Sequence, residues 1–389
     1  MIIPRAAEGT LVSLARGFYV VSVTGPRQSG KTTIVRRVFP DKPYVSLENP
    51  NERAFAWEDP QGFLARFPNG AVLDEVQRAP DLLSYLQGIV DEARRPGLFI
   101  LTGSNQFHLI SHLTQSLAGR VGLLRLLPLS LSELRAAKRV PADVDTLLYQ
   151  GLFPPIYDRD ISPAIWYTDY VATYLERDVR QMVNVRDLLT FQRFVGLVAA
   201  ATGQLLNLAR LAADTGVALN TAKGWLAVLE ASYLVHRLPP YHRNLGKRLV
   251  KSPKVYFLDP GLAAWFMGIR SPGDVARHPQ RGALFESWAI GELLKSRFNR
   301  ALASDLSFFR DQRGLEVDAV LGLSPKAVPV EIKSALRVSG DDLKPLLTWR
   351  HLADGTGAEG GWLIYGGDEA YVRSDCRITP WREVPSITF

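Results

Sequence analysis

Cysteine is almost absent from this sequence. Cys376 is the single one in 389 residues, so the chain has no internal disulfide and no cysteine cage for zinc or an iron–sulfur cluster. That usage fits a reducing compartment and sets the expectation of a cytoplasmic protein. Histidine is scarce too: there are six. His108 and His112 are four apart but lack the glutamate of a zinc-protease helix, so they read as a solvated helix face. No apolar run approaches the roughly 18 residues that a membrane span needs. Residues 1–10 also lack the basic-then-apolar pattern of a signal peptide, so no membrane partner is expected. Neither sign of charge dominates: 46 Lys and Arg stand against 39 Asp and Glu, giving +7 and a pI near 9.4. This points mildly to a polyanion such as nucleic acid, and a bland basic surface accounts for it as well. With 47% hydrophobic and 22% charged residues, a chain disordered throughout is excluded.

What is present falls into three segments. Short apolar runs at 19–24, 44–47, 71–74, 98–102 and 122–127 alternate with helical pattern, the mark of a parallel sheet with crossovers. Residues 164–238 are mostly helical in pattern. From 284 onward a helix precedes strands at 306–309, 316–321 and 328–332, then another helix and a late strand at 361–365. The Pro/Gly-rich stretches 151–155 and 268–282 suggest boundaries. The expected domains are 1–150, 151–275 and 276–389.

Residues 25–32 read Gly-Pro-Arg-Gln-Ser-Gly-Lys-Thr, a full phosphate-loop motif between an apolar strand and a helix. The candidate phosphate contacts are Gly25, Gln28, Ser29, Gly30, Lys31, Thr32 and Thr33. Glycines let backbone amides wrap a phosphate at a helix start. Lys31 is placed to reach the β- and γ-phosphates, and the Thr32 hydroxyl to ligate Mg²⁺. Some 45 residues on, the strand 71–74 ends in Asp74 and Glu75. Asp74 suits the Mg²⁺ shell and Glu75 the base that activates water. At the next strand end, Ser104 and Asn105 are candidates to sense the γ-phosphate, or form a plain turn. Arg120 is a candidate arginine finger or an ordinary surface arginine. An extra strand between the Lys31 and Asp74 elements, together with Glu75, separates this plan from small GTPases.

In the helical segment, residues 205–229 read as helix, turn at Gly216, Asn220 as N-cap, and a second helix. Such a unit contacts either DNA or protein. Arg237, Arg243, Lys247, Arg248, Lys251 and Lys254 follow with no acidic residue between Glu230 and Asp259. This run is either a solvated wing or a set of phosphate contacts.

Further on, Glu316-Val-Asp318 and Glu331-Ile-Lys333 lie on two strands joined by a turn over 322–326. A hairpin sets Asp318 beside Glu331, and the strand period of two sets Lys333 on the face of Glu331. Two carboxylates and a lysine at one point suit Mg²⁺ or Mn²⁺ and phosphodiester cleavage, with Glu286 as a further ligand. A salt-bridged hairpin has the same composition.

These motifs together resemble a bacterial and archaeal family of AAA-type, STAND-like ATPases. In that family the C-terminal part holds a winged helix and a restriction-endonuclease-like module. The resemblance rests on residues 25–32, 73–75, 102–104, 116–120, 176–178, 251–259, 285–286 and 316–333, which span almost the whole chain. It implies an α/β fold: a parallel-sheet phosphate-loop ATPase domain, a winged-helix domain and a C-terminal nuclease-like domain. It further implies ATP hydrolysis, association with DNA and a metal-dependent nuclease; Arg120 as a finger completing a neighbour's site sets the expectation of a homo-oligomer. A nucleotide-driven regulatory switch that cuts nothing is the alternative. The catalytic set would be Glu75, Arg120, Asp318, Glu331 and Lys333, with Thr32, Asp74, Glu286, Asp318 and Glu331 as metal ligands. Glu176 and Asp178 are read as an inter-domain salt bridge or a nucleotide-linked contact, with the structural role preferred.

Overall fold

The structure, a computed structural model, describes residues 2–104, 116–175, 187–241, 251–311, 314–322, 327–352 and 360–387. The expectations for Asn105, His108, His112, Glu176, Asp178, Arg243, Lys247 and Arg248 lie outside the described residues. The chain divides into two compact units. One comprises residues 1–129 with 231–233 and 297–302, and the other holds the remainder.

The first unit is built on strands β1 (Val20–Thr24), β2 (Tyr44–Ser46), β3 (Val72–Asp74), β4 (Phe99–Gly103) and β5 (Val121–Arg125). They form one sheet in the order β2-β3-β4-β1-β5, and every pairing is parallel. Successive residues face opposite sides. Val20, Leu73, Phe99 and Leu101 join one apolar cluster with Leu82, Leu86 and Val90 of a covering helix, Leu82–Ala93. Val21, Val23, Val72 and Ile100 join another with Leu11 of α1 (Glu8–Gly17) and with Ile34 and Val35 of α2 (Lys31–Val38). Both faces are buried, which is why these strands read as short apolar runs without alternation. β4 lies between β1 and β3, so the C-terminal ends of these three strands sit side by side.

In the second unit, a small antiparallel sheet has the order β6-β8-β7, from β6 (Gln204–Leu205), β7 (Val235–Leu238) and β8 (Lys254–Phe257). Helix Leu188–Ala200 precedes β6, and helices Leu208–Thr215 and Leu219–Ala231 lie between β6 and β7. Gly216 turns the chain in the left-handed region (φ 81°), its amide donating to the carbonyls of Ala212 and Ala213. Asn220 is not an N-cap: the helix already begins at Leu219, so Asn220 lies in its first turn. Asn207 caps the preceding helix, its Oδ1 accepting from the Arg210 amide at 3.0 Å.

The chain then runs through helix Arg281–Phe298 into β9 (Ser307–Arg310), β10 (Glu316–Leu321) and β11 (Val328–Lys333), which pair antiparallel. After helix Lys344–Leu352, β12 (Trp362–Tyr365) joins β11 in parallel. β13 (Tyr371–Arg373) and β14 (Cys376–Pro380) complete a six-stranded sheet ordered β13-β14-β12-β11-β10-β9. Phe309, Val317 and Val320 pack with Trp349 on one face of it.

The stretch 151–155, expected as a boundary, is largely buried. The chain divides after Leu129, and Gly151, Leu152 and Phe153 are buried. Gly151 holds φ 64°, and a Cβ there would come within 2.0 Å of the Tyr167 hydroxyl. Buried Asp259 ties this knot, accepting from the Leu152 amide and the Tyr167 hydroxyl, each at 2.7 Å. Glycine and proline here serve close packing, not exposure.

Candidate active site

The nucleotide loop begins where β1 ends. Gly25 lies so close to the end of β5 that a Cβ would fall 2.0 Å from the Leu126 carbonyl oxygen, so no other residue fits. Gln28 (φ 59°) and Gly30 (φ 93°) then turn the loop into α2 through left-handed conformations. Ser29 is fully buried, and its hydroxyl has no hydrogen-bond partner among the described residues. Lys31, also buried, folds its ammonium back over the loop, donating to the carbonyls of Gly25 (3.0 Å) and Pro26 (2.8 Å). Thr33, on α2, is exposed.

Thr32 donates to the Asp74 carboxylate at 3.1 Å. Two further hydroxyls converge on the same carboxylate: Tyr44 at the start of β2, at 2.6 Å, and Thr102 on β4. Burial and the Asp74 charge push the Tyr44 hydroxyl well above its ordinary value, so it stays a donor. Glu75 follows in a left-handed conformation (φ 56°), its amide donating to Thr102 Oγ1 at 3.2 Å. Its carboxylate accepts from Gln77 and, at 3.3 Å, from Ser104. The structure therefore brings Lys31, Thr32, Asp74, Glu75 and Ser104 to one end of the parallel sheet. A buried hydroxyl unpartnered among the described residues, a lysine resting on loop carbonyls, and a threonine against an aspartate fit a nucleotide with Mg²⁺.

Arg5, Tyr44, Gln77 and Thr102 were not among the expected site residues. Arg5 donates to the Ser29 carbonyl (2.5 Å) and the Leu127 carbonyl (2.7 Å), pinning the loop from below. It carries no motif. Thr102 was visible only as part of a strand end.

Arg120 sits elsewhere. It precedes β5, whose first residue pairs with Val20 at the start of β1, so it lies at the end of the sheet opposite the phosphate loop. Its guanidinium grips Asp91 at 2.5 and 2.8 Å.

In the second unit the β10–β11 register pairs Ala319 with Val330, which sets Asp318 opposite Glu331 as the hairpin spacing implied. Asp318 accepts from the Ile332 amide at 2.9 Å, and Lys333 meets Glu331 at 2.5 Å. Burial and Asp318 push Glu331 up to about 8, and the same causes push Glu286 up to about 7. Glu286, the expected further ligand, is engaged by protein groups. It faces Lys254 (3.0 Å) and Tyr256, and Lys254 also meets Glu316 at 2.6 Å and lies 3.7 Å from Asp318. Among the described residues no three carboxylate, histidine or cysteine side chains are grouped to hold a metal ion. The Lys254 ammonium thus supplies positive charge at the point where the expected ligands meet. Lys254, read as a phosphate contact, is 2% exposed and committed here. Arg237, from the same basic run, is paired with Glu230 at 2.6 Å.

Three family models match the chain in series. Residues 17–135 match an AAA domain, 141–273 a domain of unknown function (DUF8612), and 281–384 another (DUF4143). Uncharacterized proteins of Mycobacterium tuberculosis (Rv2008c) and Mycobacterium bovis (Mb2031c) are each 33% identical over 318 residues, 81% of this chain and 70% of theirs. The chain belongs to their family. Within that family it carries a phosphate-loop ATPase domain of α/β type. A Walker-type ATPase of Pyrococcus abyssi is similar in structure over 68% of this chain and 96% of its own, at 15% identity and a TM-score of 0.45. The branch-migration motor RuvB of Thermotoga maritima covers 60% of this chain and 87% of its own at 18% identity, with a TM-score of 0.29. Among the described residues no helix is long and apolar enough to cross a membrane.

Proposed function

We propose that the protein is an ATP-driven switch that binds DNA. The observation that carries this is the meeting of Lys31, Thr32, Asp74, Glu75 and Ser104 at one sheet end. Mg²⁺, when bound, neutralises charge on the β- and γ-phosphate oxygens. In this reading Thr32 and Asp74 hold that ion's shell and Lys31 leaves the loop carbonyls for the phosphates. Glu75, steadied by Gln77 and Ser104, takes the proton of the attacking water.

The DNA-binding part of the proposal draws on the order helix, strand, helix, helix, strand, strand over residues 188–257. That is the order of a winged helix, with helix Leu219–Ala231 as its recognition helix. The basic run, reduced to Arg243, Lys247, Arg248 and Lys251, would contact phosphates. ATP turnover measured with and without duplex DNA tests the coupling. A rate indifferent to DNA, with no DNA binding at low salt, would leave an ATPase with another partner.

A second reading, a metal-dependent nuclease, is favoured by the Asp318–Glu331 register and the adjacent Lys333. The element order helix, three strands, helix, strand over residues 281–365 is also that of a restriction-endonuclease-like core. Cleavage of linear, flapped or four-way DNA with Mg²⁺ or Mn²⁺ would establish it. No cleavage of any of these favours the switch.

A further inference from the structure

We infer that Lys254 is the resident cation of the C-terminal carboxylate cluster, standing where a divalent ion would otherwise be required. Glu286, Glu316 and Asp318 all face its ammonium, at 3.0, 2.6 and 3.7 Å. A lysine this deeply buried is retained only if it is paired. The pairing is mutual, because three carboxylates drawn together repel one another without a cation among them. The fourth carboxylate, Glu331, has its own lysine in Lys333, and Glu316 has Arg310 as a second partner at 3.1 Å. The cluster is thus close to charge balance with protein groups alone.

The ammonium is also held from behind. Lys254 opens β8 at the centre of its small sheet, paired to Leu205 on one side and Leu238 on the other. Its Nζ lies 5.7 Å from the centroid of the Phe308 ring. A backbone fixed on both sides gives the side chain little room to leave. The consequence is a lock that joins β8, helix Arg281–Phe298 and β10 through one point charge. A divalent ion entering the cluster would have to displace that charge.

The inference goes beyond the functional reading and decides between its two forms. Its test uses Mn²⁺ alone with the full chain, without nucleotide, followed by calorimetry or electron paramagnetic resonance. Wild type and Asp318→Asn should bind Mn²⁺ alike, because the cluster takes none. Lys254→Met should gain a site that binds Mn²⁺ roughly tenfold tighter or better than wild type, and adding Asp318→Asn should remove it. Because Lys254→Met leaves buried carboxylates uncompensated, Glu316→Gln serves as the gentler variant. It loosens the lysine, keeps the other carboxylates, and should strengthen Mn²⁺ binding in the same direction. Wild-type Mn²⁺ binding that vanishes in Asp318→Asn would overturn the inference, since the metal then displaces the lysine. No gain in any folded variant would overturn it as well. Failure of the switch reading appears separately, as absent ATP turnover or absent DNA binding in the wild type.

Discussion

Thr32 and Asp74, 42 residues apart in the chain, meet through a hydrogen bond of 3.1 Å. One lies in the first turn of α2 and the other closes β3. β1 and β3 end on the same side of the parallel sheet, which sets the start of α2 against the end of β3.

Removing Lys31 should abolish ATP turnover, because the phosphates lose their nearest point charge. Glu75→Gln should keep ATP binding and lose about 10²–10⁴ in rate, the usual worth of a general base. Steady-state hydrolysis and nucleotide-binding assays on both variants check this. Wild-type turnover in Glu75→Gln would move the base elsewhere.

Tyr44→Phe deletes one of three hydroxyls on Asp74 and changes little else. Loss of a residue that orients a metal ligand weakens metal affinity about 10- to 100-fold. The Mg²⁺ concentration for half-maximal hydrolysis should rise accordingly, with kcat at saturating Mg²⁺ near wild type. An unaltered Mg²⁺ curve would reduce Tyr44 to a packing role.

Arg120 lies at the far end of the sheet from its own loop, so any role as a finger requires a neighbouring copy. Such a residue is worth roughly 10³–10⁵ in rate. Mixing Arg120→Ala with Lys31→Ala chains should restore part of the activity that each lacks. Turnover that is independent of concentration in a chain monomeric by light scattering would end this idea.

DNA affinity should fall steeply with salt. Each phosphate contact adds about 0.9 to the log–log slope on duplex DNA. Replacing Lys247, Arg248 and Lys251 together by Ala should flatten it by about two to three units. A slope that does not change would place the DNA path on another surface.

Glu331 predicts a pH dependence. Its ordinary value is 4.5, and burial with Asp318 raises it to about 8 in the folded chain. Across that window the folded state keeps a proton that the unfolded state has released. Stability from this group is therefore greatest at the acid end and is lost as pH rises through the folded value. Denaturation midpoints of wild type should drop between about pH 5 and pH 8 more than those of Glu331→Gln. Parallel curves for the two proteins would refute it.

How much of this was legible in the sequence depended on how local each signal was. The phosphate loop, Asp74–Glu75 and the Asp318–Glu331 hairpin are short-range patterns, and each strand period or turn could be read directly. Lys254 was misread because its partners are remote, the nearest in sequence 32 residues away, while its neighbours in the chain are basic. The same holds for Arg5, whose role exists only once β5 lies beside β1, and for Tyr44, whose role needs β2 beside β3. Gly151 was ambiguous for a different reason. A glycine where a Cβ would fall 2.0 Å from the Tyr167 hydroxyl has the same one-letter signature as a glycine at a domain boundary.

The solitary cysteine has a practical side. Cys376 is 1% exposed, closed inside the apolar cluster of the C-terminal sheet. Thiol-directed probes will therefore pass over the native chain. A single cysteine engineered on the surface of each unit would take the label alone, with no background to delete. The distance between two such labels, followed through ATP binding, hydrolysis and release, would reveal whether the nucleotide cycle moves one unit against the other.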